Sequence, residues 1–219
     1  MRQTWFLPFL LGAVLFTPLP AQGHRPGTVG LGIGLDAVPN TVTSVFGFDA
    51  DGRTGMILVP IQVATRIRLQ PALGYWRFSQ DVHDAVSRFE QNLTQWSMGL
   101  ALHYLFPLAQ KAQTYVGSSI AFNRLSETEL TEFSPSPPSK RTAKRTDMVL
   151  SAIAGGEYFF APRFSMGGEV QLQYLMAGDV DTSVEPTPTP LPVPIPTPAF
   201  DASVIQTNGQ FVIRWYFGG

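Results

Sequence analysis

The chain contains no cysteine in 219 residues. This excludes a disulfide framework, any thiolate metal site and the acylated N-terminal cysteine of a lipoprotein. Charge is scarce as well. Asp, Glu, Lys and Arg make up 14% of the chain, against about 25% in ordinary soluble domains. The signs nearly cancel, with net charge −1 and an isoelectric point near 6.3, so bulk charge predicts no nucleic-acid partner. Past the N-terminus no stretch offers ~18 uninterrupted apolar residues, so no membrane helix is expected in the body of the chain. What is plentiful is glycine, at 20 residues, and phenylalanine, at 16, a composition suited to a sheet with an aromatic surface.

Residues 1–23 read as a secretion signal. Met1-Arg2-Gln3 is a short positive start, Trp5 to Phe16 is apolar, and Ala21-Gln22-Gly23 supplies small residues for cleavage. A transmembrane helix is the competing reading, but the run falls short of the ~20 residues needed and Pro8 interrupts it. Residues 24–219 are then expected to form one domain.

Eight segments of that domain alternate apolar with small or polar residues at period two, the mark of strands with one greasy and one wet face. They fall near 28–36, 56–63, 66–78, 95–106, 113–124, 148–160, 166–174 and 204–217. In 166–174, Met166, Val170, Leu172 and Tyr174 oppose Gly167, Glu169, Gln171 and Gln173. The connections alternate long and short. Long ones are expected near 37–54, 79–93 and 125–146, and around the proline-alternating rod 185–198, which reads as a stiff polyproline spacer. Tight turns are expected at Ala64-Thr65, 107–112 and Ala161-Pro162-Arg163. Asn208-Gly209, ordinarily a hairpin signal, keeps the alternation in phase and reads as strand interior. Pro60 and Pro71 fit a paired strand poorly and predict bulges near the turn end.

The wet face carries Arg68, Glu157, Glu169 and Arg214 among many Gly, Ser and Ala, which suits the cramped, side-chain-filled interior of an eight-stranded barrel. The greasy face has aliphatics mid-strand and aromatics towards the ends, including Trp96, Tyr104, Phe106, Tyr158, Trp215 and Phe217. That pattern predicts a lipid-facing band between aromatic girdles. The fold class expected is therefore all-β, an eight-stranded antiparallel up-and-down transmembrane β-barrel. A soluble lipocalin-like carrier would turn its apolar face inward instead.

With these features the chain resembles the small eight-stranded outer-membrane β-barrel proteins of Gram-negative bacteria, the OmpA/OmpX/OmpW-like type. The resemblance rests on the signal segment, on residues 58–75, and on the terminal strand Gln210-Phe211-Val212-Ile213-Arg214-Trp215-Tyr216-Phe217. It implies a cell outer-membrane location with four long loops outside. It also implies a monomer in the lipid bilayer, with recognition of the aromatic-ending last strand by the barrel-assembly machinery. Gly218-Gly219 after Phe217 departs from that ending. No peptidoglycan-binding domain follows, so cell-wall anchoring is not implied.

Candidate chemistry is sparse. Arg68 and Arg214 against Glu157 and Glu169 predict a compensating lumen network rather than an ion path, since an unpaired buried charge is very costly. An eight-stranded bore leaves no room for a porin-like channel. Lys140, Arg141, Lys144 and Arg145 form a basic cluster expected on a surface loop, where lipopolysaccharide phosphates are a possible partner. His83, in Asp81-Val82-His83-Asp84, is the one conceivable catalytic residue, but no nucleophile elbow or second histidine accompanies it. His103 reads as a lumen residue. Asp49-Ala50-Asp51-Gly52 lacks the remaining ligands of a calcium loop and reads as a turn. No enzyme activity, cofactor or metal is expected. The function expected is structural or adhesive, with passage of a small hydrophobic molecule through a lateral opening near Pro60 or Pro71 as the alternative.

Overall fold

The computed structural model describes residues 26–36, 55–84, 87–133, 136–185 and 203–217. The expected signal segment, the connection 37–54 with its Asp49–Gly52 turn, and the proline rod past Glu185 lie outside the described residues. Ten strands form: β1 (Val29–Asp36), β2 (Gly55–Leu58), β3 (Ile61–Ala64), β4 (Ile67–His83), β5 (Ser87–Ala109), β6 (Ala112–Phe133), β7 (Ser136–Ala161), β8 (Phe164–Met176), β9 (Val180–Glu185) and β10 (Ser203–Phe217). All pair antiparallel.

The sheet closes on itself. β10 pairs with β8 on one side and with β1 on the other, from Val29↔Phe217 to Asp36↔Gln210. β2 and β3 together make a single stave between β1 and β4, and β9 continues alongside β7 where β8 stops. The result is an up-and-down barrel of eight staves, as the alternation predicts. Asn208 and Gly209 lie inside β10, opposite Gln171 and Val170.

The proline sites differ from expectation in an informative way. Pro60 sits in a break between β2 and β3, and its carbonyl accepts from Gly30 N–H at 2.8 Å. Pro71 stays in register within β4, opposite Leu100, with no bulge. Its carbonyl accepts from Val59 N–H at 2.9 Å. A strand residue's N–H and C=O point the same way, so the missing Pro71 donor faces the break, where the ladder already lapses. Each proline thus removes a donor where the other interrupts pairing, and these two bonds keep the wall joined across the break.

Two of the expected loops are strand. The β4–β5 ladder runs unbroken to His83↔Arg88, and the β6–β7 ladder reaches Phe133↔Ser136. Residues 79–93 and 125–146 therefore project beyond the other staves as paired hairpins, not as coil, with β9 flanking β7.

Large apolar side chains point outward. Ile33, Leu73, Trp96 and Met98 are each 52–60% exposed. Inward positions carry glycine, alanine, serine and the buried polar residues. This is the reverse of a soluble carrier, whose apolar residues line the cavity. The apolar interior is small, with Ala101, Leu105, Tyr115 and Ile153 as its main cluster. The backbone ladders and whatever covers the outer wall must therefore hold the fold together. From Trp96 to Phe106 along β5 is ten residue steps, ~33 Å of strand, or ~25 Å in height at a 40° tilt, the height of a membrane-barrel apolar band.

Candidate functional site

Near the short-turn end the lumen is filled by a charged cluster drawn from six staves. β4 contributes Arg68 and Gln70, β5 His103, β6 Gln113 and Tyr115, β7 Glu157, β8 Ser165 and Glu169, and β10 Arg214 and Tyr216. Every one of these falls at an inward position of its strand's alternation, which is why residues far apart in sequence converge.

Glu157 is the hub. It accepts from Arg68 Nη1 at 2.7 Å through Oε1 and from Arg214 Nη1 at 2.8 Å through Oε2. Ser165 Oγ donates to it at 3.2 Å and Tyr216 Oη at 3.3 Å, and the Gln113 amide donates as well. Arg214 reaches further, donating to Glu169 Oε1 at 3.3 Å, Gln70 Oε1 at 3.0 Å and Tyr115 Oη at 3.3 Å. Arg68 donates from Nε to His103 Nδ1 at 3.2 Å. The Tyr115 ring lies against both guanidiniums, 4.6 Å from Arg68 Cζ and 5.4 Å from Arg214 Cζ. Two arginines and two glutamates cancel in charge. All four are essentially without solvent exposure.

Small residues make this density possible. A Cβ on Gly155 would stand 2.6 Å from the Tyr115 ring, and one on Gly32 would stand 3.1 Å from Arg214 Cγ. Arranged this way, the cluster plugs the bore and fixes the staves around it. Above it a cavity of about 120 Å³ runs from Glu169 and Gln70 up to Asp147. One wall of it is a chain of carboxamides, with Gln206 donating to Gln173 at 2.8 Å and Gln173 to Gln171 at 2.9 Å.

The structure thus brings Arg68, Glu157, Glu169 and Arg214 together, and places His103 among them. It does not keep the basic cluster together. Residues 140–145 lie in β7, where side chains alternate, so the expected single surface-loop patch is corrected. Arg145 turns inward and pairs with Asp147 at 2.8 Å, both nearly fully buried. Lys140 pairs with Glu185 at 3.1 Å on the exposed side. Lys144 is exposed, and Arg141 stands opposite Glu129. His83 sits exposed near the β4–β5 tip, where Arg88 pairs with Asp81 at 3.2 Å and Asp84 accepts from Ser87 N–H at 2.8 Å. Among the described residues no group of three His, Cys, Asp or Glu could hold a metal. Sequence reasoning did not assign Tyr115, Tyr216, Gln113 and Ser165 to the cluster, although all four occupy inward positions of the alternation.

The sequence matches no protein-family model, and no curated protein matches it. Among solved structures the chain is similar to CarO2 of Acinetobacter baumannii, at 11% identity and TM-score 0.42, covering 89% of this chain and 100% of that one. It is similar to CarO of the same organism at 11% identity and TM-score 0.41, covering 88% and 98%. It is also similar to Ail, the attachment invasion locus protein of Yersinia pestis, at 8% identity and TM-score 0.43, covering 88% and 99%.

Proposed function

We propose that this chain is a non-enzymatic β-barrel of a bacterial outer membrane, with a structural or surface-interaction role exercised through its projecting hairpins. The observation that carries this reading is the pairing of an apolar outer wall with a sealed, charge-balanced lumen. An apolar belt of this height is stable only against hydrocarbon. A plug of buried ion pairs leaves no path for solutes, so the working surface is the hairpin end. In this reading the short turns face the periplasm and the β4–β5 and β6–β7 hairpins face outward.

The absence of native cysteine provides the test. Ser87→Cys at the β4–β5 tip should react with a membrane-impermeant maleimide on intact cells. Gln110→Cys, in the β5–β6 turn, should react only after lysis. The reverse pattern sinks the orientation, and labelling of neither in any membrane fraction sinks the reading.

A further inference from the structure

The three short turns repeat one four-residue pattern. Val63-Ala64-Thr65-Arg66, Leu108-Ala109-Gln110-Lys111 and Phe160-Ala161-Pro162-Arg163 each read apolar, alanine, variable, cation. The structure gives all three the same geometry. The strand register shifts once in each hairpin, between Gln62 and Ala64, Pro107 and Ala109, and Phe159 and Ala161. The residue passed over is the apolar one, a bulge, and Val63, Leu108 and Phe160 stand 51%, 68% and 58% exposed. The cation follows at the second turn position, and a neighbouring strand holds its carbonyl. Leu105 N–H donates to Arg66 at 2.8 Å, Phe159 N–H to Lys111 at 2.7 Å, and Tyr216 N–H to Arg163 at 2.8 Å.

Turn chemistry does not demand a cation there. No non-glycine residue among those described has a positive φ, so these turns accept most side chains. Charge at this end is also one-sided. Among the described residues no carboxylate lies on the turn rim. The nearest, Glu157, is buried between its arginines, and the rest lie from mid-barrel to the hairpin end. Just above the turns stand Tyr104 and Phe106, Tyr158 and Phe160, Phe164 and Trp215, in ring contact at 4.9, 5.0 and 6.1 Å. Arg66 donates to Tyr104 Oη at 3.4 Å.

We propose that the repeated turns form a lipid-seating rim. Each bulge side chain enters the hydrocarbon edge, and the Arg or Lys three residues on meets the phosphate of an anionic phospholipid. The chemistry is that of an interfacial aromatic belt with cations at headgroup depth. The proposal rests on the membrane reading above and adds lipid selectivity to it.

Trp215 lies beside the Arg163 turn and serves as reporter once Trp76→Phe and Trp96→Phe are introduced in residues 24–219, which leave out Trp5. In vesicles mixing phosphatidylcholine with chain-brominated phosphatidylglycerol at low salt, its quenching should show about a threefold preference for the anionic lipid, since each interfacial cation favours anionic headgroups. Arg66→Gln, Lys111→Gln, Arg163→Gln combined should bring the preference to about one, while Arg66→Lys and the hairpin-end pair Arg77→Gln, Arg124→Gln leave it intact. Equal quenching before and after the triple substitution, in protein still vesicle-bound and shifted by heating, overturns the rim and spares the barrel. Failure of the unsubstituted chain to enter vesicles at all overturns both.

Discussion

Glu157 answers two guanidiniums, a tyrosine, a serine and an amide at once, so its charge cannot be removed without stranding Arg68 and Arg214. Breaking a buried pair from one side costs about 3–5 kcal/mol. Glu157→Gln should therefore lower the urea midpoint of the folded barrel sharply. An unchanged midpoint would mean the plug does not hold the staves together. The split basic cluster makes a second residue-scale prediction. Arg145→Ala leaves buried Asp147 without its ion pair and should destabilise by about 1–3 kcal/mol. Lys144→Ala, exposed on the other side, should stay within about 0.5 kcal/mol. Comparable effects in the two variants would contradict the inward turn of Arg145. That turn was legible: counting back by twos from Val149 through Asp147 reaches Arg145. A run of cations draws the eye to charge before phase. The charged lumen residues were readable for the same reason, as polar side chains on an otherwise small-residue face. The phase of Tyr115, opposite Val116, was readable too, but its role was not, because an aromatic at an inward position breaks the expected pattern of small residues; Gly155 on the neighbouring strand makes room for it.

The projecting hairpins are the element-scale surprise. Ser126-Glu127-Thr128-Glu129 carries polar residues on both faces, so the apolar alternation that reveals a half-buried strand vanishes. The ladder persists because backbone pairing needs no greasy face. Above the apolar belt both sides of the ribbon meet water. In that projecting ribbon Glu127 is half-buried. Burial is the main influence and raises its carboxyl pKa, opposed by the Gln91 amide that donates at 2.6 Å, with Glu129 raising it further. A raised folded pKa means the contribution favours the fold in acid and is lost as pH rises through that titration. Hydrogen-exchange protection of the β6–β7 hairpin should then be greater below that range than at neutral pH, and Glu127→Gln should flatten the difference. A pH dependence left unchanged by the substitution would contradict the assignment. Replacing 126–144 by a short turn should leave the barrel folded, since no plug residue lies there. If it abolishes folding, the hairpin is part of the scaffold and not an appendage.

At the scale of the whole molecule, the eight-stave closure and the inside-out polarity were both present in the sequence as period-two alternation and long–short connections. The broken stave at Pro60 was present too, as a proline that could not be placed. The repeated turn pattern is in the sequence as well, but the shared register shift is what marks it as one motif. Closure makes its own prediction: a sheet without edges, plugged by ion pairs, resists detergent until heat breaks every ladder together. The central claim is a closed barrel seated in a membrane. The most direct measurement compares SDS gel mobility of the protein from fractionated cells, boiled and unboiled. An outer-membrane band whose mobility changes on boiling is the result predicted. A soluble band with one mobility under both conditions would contradict it.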